Sequence, residues 1–260
     1  MISTLNETHL HRTLKALYAS REEGSVTEAR AGQSIADILT PKGDVIEIQT
    51  SSLSHLREKT ERLLREGRKV TVVYPLVTEK RILTRMHGKA DRTRRSPRKQ
   101  NIYGMFRELT GLRSVLLQNN FTLEVLEVTV TEERTATDIP VQSANGRRRF
   151  KKNWIKTGKR LDSILRTHVF SSPGDYLRTL PESFLRGPDT EMTLAQIVQE
   201  LREERADLNS PLMPNDVRIM LWLYERLGLV RRSGKTGNAI LYSPSATESR
   251  PLQKDFHSDF

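Results

Sequence analysis

Over the first eighty residues the apolar positions switch repeatedly between a helical and an extended period. Leu10, Leu14, Leu17 and Tyr18 recur at helical spacing and predict an amphipathic helix from Asn6 to Ala19. Ser20 to Gly32 is polar, with two glycines, and reads as a loop or a short irregular strand. Two short runs follow, Ser34 to Thr40 and Asp44 to Thr50. Pro41-Lys42-Gly43 supplies the turn between them, so a hairpin is expected. Ser52 or Ser54 can cap a second helix that runs to about Glu66 and buries Leu53, Leu56, Leu63 and Leu64, with Gly67 ending it. Lys69 to Pro75 is continuously apolar, the pattern of a strand covered on both faces. Helix, hairpin, helix and buried strand make one α/β unit.

Further along, Glu79 to Arg85 predicts another strand, Met105 to Leu117 a helix interrupted by Gly111, and Phe121 to Arg134 an alternating strand. Ser163 to Phe170 reads as a strand returning to the sheet, and Pro173-Gly174 marks a boundary. Thr193 can cap a helix carrying Leu194, Ile197, Val198 and Leu201, and Pro214-Asn215 opens a stronger one from Val217 to Leu227, with Trp222 expected in the core. Residues 228–242 then give strand, basic glycine-rich turn, strand. Helix, helix and basic hairpin resemble a winged helix, which implies Arg231, Arg232 and Lys235 at the wing and Arg218 on the groove-reading helix. A winged-helix-like unit is therefore expected over 173–245, and a polar tail over 246–260.

Composition narrows the possibilities. The chain has 260 residues, no cysteine and a formal charge of +11. Disulfides, cysteine-ligated metals and thiol catalysis are excluded. No apolar run is long enough to span a bilayer, and the opening residues lack the layout of a secretory signal, so a cytoplasmic location without membrane contact is expected. The charge excess is local. Residues 81–160 hold 19 basic and 7 acidic side chains, whereas the flanking segments are close to neutral. One cluster is Lys89, Arg92, Arg94, Arg95, Arg98 and Lys99. A second is Arg147, Arg148, Arg149, Lys151 and Lys152, continuing to Lys156, Lys159 and Arg160. Such a block is the electrostatic footprint of a phosphate-backbone binder. Phe150 and Trp154 within it can stack on bases or anchor the segment to the core.

The candidate chemistry lies in the hairpin. Asp37 sits in the first strand, Glu47 and Gln49 in the second. Residues two apart share a face, so Glu47 and Gln49 are expected to project away from Ile46 and Ile48, onto an open side. Glu47 could equally line a solvent-facing edge strand. Glu7, His11 and Lys15 form one helical stripe beside them, where Glu7 could also serve only the helix dipole. Paired carboxylates of this kind can hold Mg²⁺ or Mn²⁺, which polarises a phosphate and acidifies a water.

The order of these features resembles the PD-(D/E)XK nuclease superfamily, whose core is helix, two strands, helix, strand. Asp37 stands where the family's first aspartate stands, with Ala36 in place of its proline. Glu47-Ile48-Gln49 stands for the acid-x-lysine triplet, and Glu7 for the glutamate of the opening helix. The resemblance covers roughly residues 5–76. It implies a restriction-endonuclease-like mixed sheet flanked by helices over residues 1–172, with a basic insertion at 81–160. It also implies metal ligation by Asp37, Glu47 and Glu7. Gln49 departs from the family's lysine. An amide orients water but carries no charge, and Lys59 on the second helix or Lys15 would have to supply it. The expected activity is metal-dependent hydrolysis of DNA phosphodiesters, in a homodimer or with a partner protein where both strands are cut. The alternative is an inactive nuclease fold that binds DNA or regulates through its winged helix. RNA binding is a third reading.

Overall fold

The computed structural model describes residues 8–143, 146 and 149–245. Glu7, Arg147, Arg148 and the expected tail lie outside these residues. The elements in chain order are α1 (His9–Ala19), β1 (Val26–Ala31), β2 (Ser34–Leu39), β3 (Val45–Ile48), α2 (Arg57–Arg65), β4 (Val70–Arg85) and β5 (Arg92–Arg95). They continue with α3 (Phe106–Leu109), β6 (Phe121–Val141), β7 (Lys152–Phe170) and α4 (Pro173–Leu177). The last are β8 (Met192–Thr193), α5 (Leu194–Glu204), α6 (Pro214–Arg226), β9 (Val230–Thr236) and β10 (Ala239–Pro244).

The fold is α/β, built on a mixed seven-stranded sheet in the order β1-β2-β3-β4-β6-β7, with β5 paired to the far end of β4. β1, β2 and β3 run antiparallel, β3, β4 and β6 run parallel, and β7 returns antiparallel to β6. Helices cover both faces. α1 buries Leu10, Leu14 and Tyr18 against Ile38, Ile48, Val73, Leu126 and Val128. Leu63 and Leu64 of α2, with Leu53 and Leu56 of the preceding turn, pack on Val45, Val70, Val72 and Leu123 on the other face. Val72 and Val73 thus enter different cores, which is why β4 reads as unbroken apolar sequence.

Several local expectations are corrected. The polar stretch after α1 contains β1. The two predicted strands Lys69–Pro75 and Glu79–Arg85 are one strand of 16 residues, about 50 Å at roughly 3.3 Å per residue. Pro75 is tolerated in it because β3 has already ended at Ile48, opposite Val73, and β5 begins only opposite Arg81. Met105 to Leu117 is not one helix but a series of short turns around α3, rich in buried Met105, Phe106, Leu109 and Leu112. β6 and β7 are longer than predicted and project beyond both cores as a two-stranded arm. Arg134 stacks on Trp154 there at 3.6 Å, so Trp154 anchors the arm, while Phe150 near its tip is 62% exposed.

The C-terminal unit forms a three-stranded antiparallel sheet, β8-β10-β9, with α5 and α6. Its interior is continuous with the α2 side of the large sheet: Tyr224 of α6 meets Phe106 edge-on at 5.5 Å, and Asn101 donates to the Ser210 carbonyl at 3.1 Å. Trp222 is only partly buried and lies at the margin of this core.

Gly111 is held against the chain at Ser54, where a Cβ would come within 2.8 Å of the Ser54 Cα. Gly111→Ala is expected to lose about 1–3 kcal/mol through forced displacement of packed backbone, read as a lowered thermal midpoint. A midpoint equal to wild type would show that this contact is not tight.

Candidate functional site

The register brings three carboxylates into one row across three strands. Thr27 pairs with Ile38 and Ala29 with Ala36, so Glu28 of β1 stands opposite Asp37 of β2. Ile38 pairs with Ile46, so the next position sets Asp37 opposite Glu47 of β3. The ladder between β2 and β3 stops there because the Asp37 carboxylate takes over: its Oδ2 accepts from the Ile48 amide at 2.8 Å. Each acid has a cation or ring facing it. His11 Nε2 of α1 is 3.3 Å from Asp37 Oδ2, Lys15 Nζ is 2.8 Å from Glu28 Oε1, and Lys59 Nζ of α2 is 2.5 Å from Glu47 Oε2.

Glu47 does not face solvent. β3 lies between β2 and β4, α2 covers the side toward which Glu47 projects, and the residue is 2% exposed. Both the open-face and the edge-strand expectations are corrected on that ground. Burial pushes the Glu47 carboxyl up to about 7, with Asp37's charge adding to the rise and Lys59 and the Asp37 backbone amide opposing it. Its Oε1 is buried with no hydrogen-bond partner, which is costly for a carboxylate oxygen. Asp37 behaves differently. Burial opposes its ionisation, but the His11 ring, the Ile48 amide and the Lys59 charge hold its carboxyl below the usual carboxylate range. Two neighbouring acids driven apart in this way are a common mark of a functional site.

Of the sequence candidates, Asp37, Glu47 and Lys59 come together. Gln49 lies just past β3, and its side-chain amide donates to the Ser52 carbonyl at 2.8 Å, so it braces the loop toward α2. Lys15 serves Glu28 rather than Glu47. Glu28 escaped the sequence reading because it occupies what looked like a loop. It is also the only non-glycine at positive φ (53°) among the described residues, a conformation that sequence pattern does not reveal.

Asp37 and Glu47 are the pair able to hold a divalent cation, and the orphaned Glu47 Oε1 fits that use. Mg²⁺ is commonly held by only one or two carboxylates, keeping several waters. Among the described residues no cluster of three or more His, Asp or Glu side chains is arranged to enclose a metal.

The candidate nucleic-acid contacts occupy the far half of the sheet. Arg92, Arg94 and Arg95 of β5 are exposed, as are Arg98, Arg149, Lys151 and Lys152. Lys99 lies 3.9 Å from Glu79. In the C-terminal hairpin, Arg232 is paired with Glu225 at 3.0 Å and Arg231 donates to the Pro188 carbonyl at 3.3 Å, leaving Lys235 as the exposed cation at its turn.

These features describe an α/β protein with a row of matched carboxylates beside a basic sheet extension. Residues 8–171 match the family described as "Domain of unknown function (DUF8091)". The chain belongs to that family, whose match takes in the whole large sheet and stops short of α4. A protein of Treponema pallidum (strain Nichols), described as uncharacterized, is 32% identical over 190 residues, spanning 70% of this chain and 71% of its own. No solved structure matches the chain. No helix among the described residues is long and apolar enough to cross a membrane.

The Glu47 shift fixes a sign. A folded-state value of about 7 against the usual 4.5 means the native state holds the extra proton between them, so this group's contribution to stability is lost as pH rises through about 7. From about pH 5 to about pH 8 in EDTA, wild type is expected to lose up to a few kcal/mol relative to Glu47→Gln, measured by thermal denaturation. Parallel profiles would contradict the burial argument.

Proposed function

We propose that the chain is a metal-dependent DNA endonuclease with a restriction-endonuclease-like core and a winged-helix-like C-terminal unit. The observation that carries this reading is the Asp37–Glu47–Lys59 constellation. The two acids sit at neighbouring positions on adjacent strands, just past the last β2–β3 pair, and a lysine from the following helix stands 2.5 Å from the second acid and within charge reach of the first. The triplet's last position holds Gln49 instead of lysine, and Lys59 brings the missing cation from α2. The order α1, hairpin, α2 and parallel β4, with the two helices on opposite faces, supports the same reading.

Mg²⁺ or Mn²⁺ held by Asp37 and Glu47 would supply Lewis-acid polarisation of the scissile phosphate and a water of lowered pKa. His11 orients Asp37 from α1. Lys59 offsets the charge that develops on the phosphate oxygens, in a partly dry site where that attraction is strengthened. The basic strands β5 and β7 would grip the backbone of the duplex. In the C-terminal unit α6 turns its apolar side to α3, so DNA contact there falls to the β9–β10 turn and Lys235. Cutting both strands calls for two copies of the site, hence a dimer.

A second reading, a DNA-binding protein without catalysis, is favoured by one observation: the Gln49 amide is committed to the Ser52 carbonyl and is not turned toward the acids' partner groups. Cleavage of supercoiled plasmid separates the two. The nuclease reading expects nicking that needs Mg²⁺ or Mn²⁺, is abolished by Asp37→Ala and Glu47→Ala, and falls ~10²-fold with Lys59→Ala. Plasmid that is bound but left intact by wild type with either ion would favour the second reading.

A further inference from the structure

The gap in the sheet beside β4 forms a groove with a composition of its own. β3 ends opposite Val73 and β5 starts opposite Arg81, so the β4 edge from Tyr74 to Val77 is left without a strand neighbour on that side. An open cavity of about 320 Å³ occupies this place. Tyr74, Pro75 and Val77 form its apolar lining, and Thr50, one residue beyond Gln49, borders it. Lys80, Arg98, Lys156 and Lys159 also line it, from β4, from the segment after β5 and from β7.

Four cations around one small cavity repel each other unless something answers them. The one acid lining it is Glu132, already shared between Lys80 at 3.1 Å and Arg134 at 2.7 Å. No carboxylate lies within ion-pair distance of Arg98, Lys156 or Lys159 among the described residues. Burial, with the charges of Lys156 and Lys80 nearby, pulls the Lys159 ammonium down to about 8, and Glu132 opposes the fall. A groove carrying unanswered cations, with its one acid already used, is built for an anion of several oxygens.

We propose that this groove, lined by Lys80, Arg98, Lys156 and Lys159, is a phosphate site that holds a DNA backbone phosphate next to the carboxylate row. It rests on the nucleic-acid part of the proposed function and adds a fixed anchor at the C-terminal end of β3, three residues from Glu47. The strand that enters the carboxylate site is thereby held at a second point, which sets its register over Asp37 and Glu47.

The test is binding of a fluorescently labelled duplex, followed by anisotropy against salt, in EDTA so that no cleavage step enters. Replacing Lys156 and Lys159 together by Gln should lower the salt slope by about 1, at ~0.9 per phosphate contact, while Lys42→Gln, on the opposite end of the sheet, leaves it unchanged. Wild-type binding should weaken as pH rises through about 8, where free Lys159 loses its proton. Lys159→Arg, which stays charged, should bind as well as wild type at neutral pH and lose that dependence. Lys80, Arg98, Lys156, Glu132 and Arg134 are the other charged groups facing this region, and none is altered in that variant. An unchanged slope in the double variant, a pH profile kept by Lys159→Arg, or wild type that does not bind duplex at all would overturn the proposal. Inorganic pyrophosphate that perturbs a ¹³C-methylated Lys159 signal, where duplex does not, would assign the groove to a free phosphate and overturn it likewise. Plasmid that stays intact while these binding results hold counts against catalysis at Asp37 and Glu47 and leaves the groove standing.

Discussion

A carboxylate buried inside a sheet must be matched by a cation or give up its charge, and this molecule buries Glu47 in a cross-strand row with the half-buried Asp37 and the exposed Glu28. The surrounding elements are arranged around that constraint. α1 brings His11 to Asp37 and Lys15 to Glu28, α2 brings Lys59 to Glu47, and each helix is fixed by its own apolar core on its own face of the sheet. The short β3, with only four residues, lets Asp37 replace a strand partner at the Ile48 amide and opens the sheet immediately beyond. Site and groove are thus two consequences of where one strand stops.

The match is incomplete in an informative way. Asp37 is held ionised by several favourable partners, whereas Glu47 has only Lys59 and the Asp37 backbone amide against its burial and the like charge beside it, and its Oε1 has no hydrogen bond. A sheet selected only for stability would favour an apolar residue at such a position. The imbalance has a use if a second cation visits the pair, and it places the demand for that cation on Glu47.

Much of this was legible from residue order. The two short runs flanking Pro41-Lys42-Gly43 predict the hairpin, the leucine spacing predicts both helices, and residue type and spacing alone point to Asp37, Glu47 and Lys59. What was hidden was hidden for physical reasons. β1 contains a glutamate at positive φ and no apolar alternation, so it looked like loop. Pro75 and the charged Glu79-Lys80-Arg81 masked the continuity of β4, which only the lost neighbour strand explains. Gly111 was read as a helix interruption, whereas its role is close approach to Ser54. Glu47 was assigned to an open face because strand period alone cannot tell which side of a sheet a helix will cover.

The most direct test of the central claim is a crystal of the protein soaked in Mn²⁺, with anomalous scattering recorded at the manganese edge. The account predicts a single strong peak between the Asp37 and Glu47 carboxylates, with the Lys59 ammonium displaced from Glu47 Oε2. A map without a peak there, and with Lys59 still seated on Glu47, would contradict it and leave the row as a set of structural ion pairs.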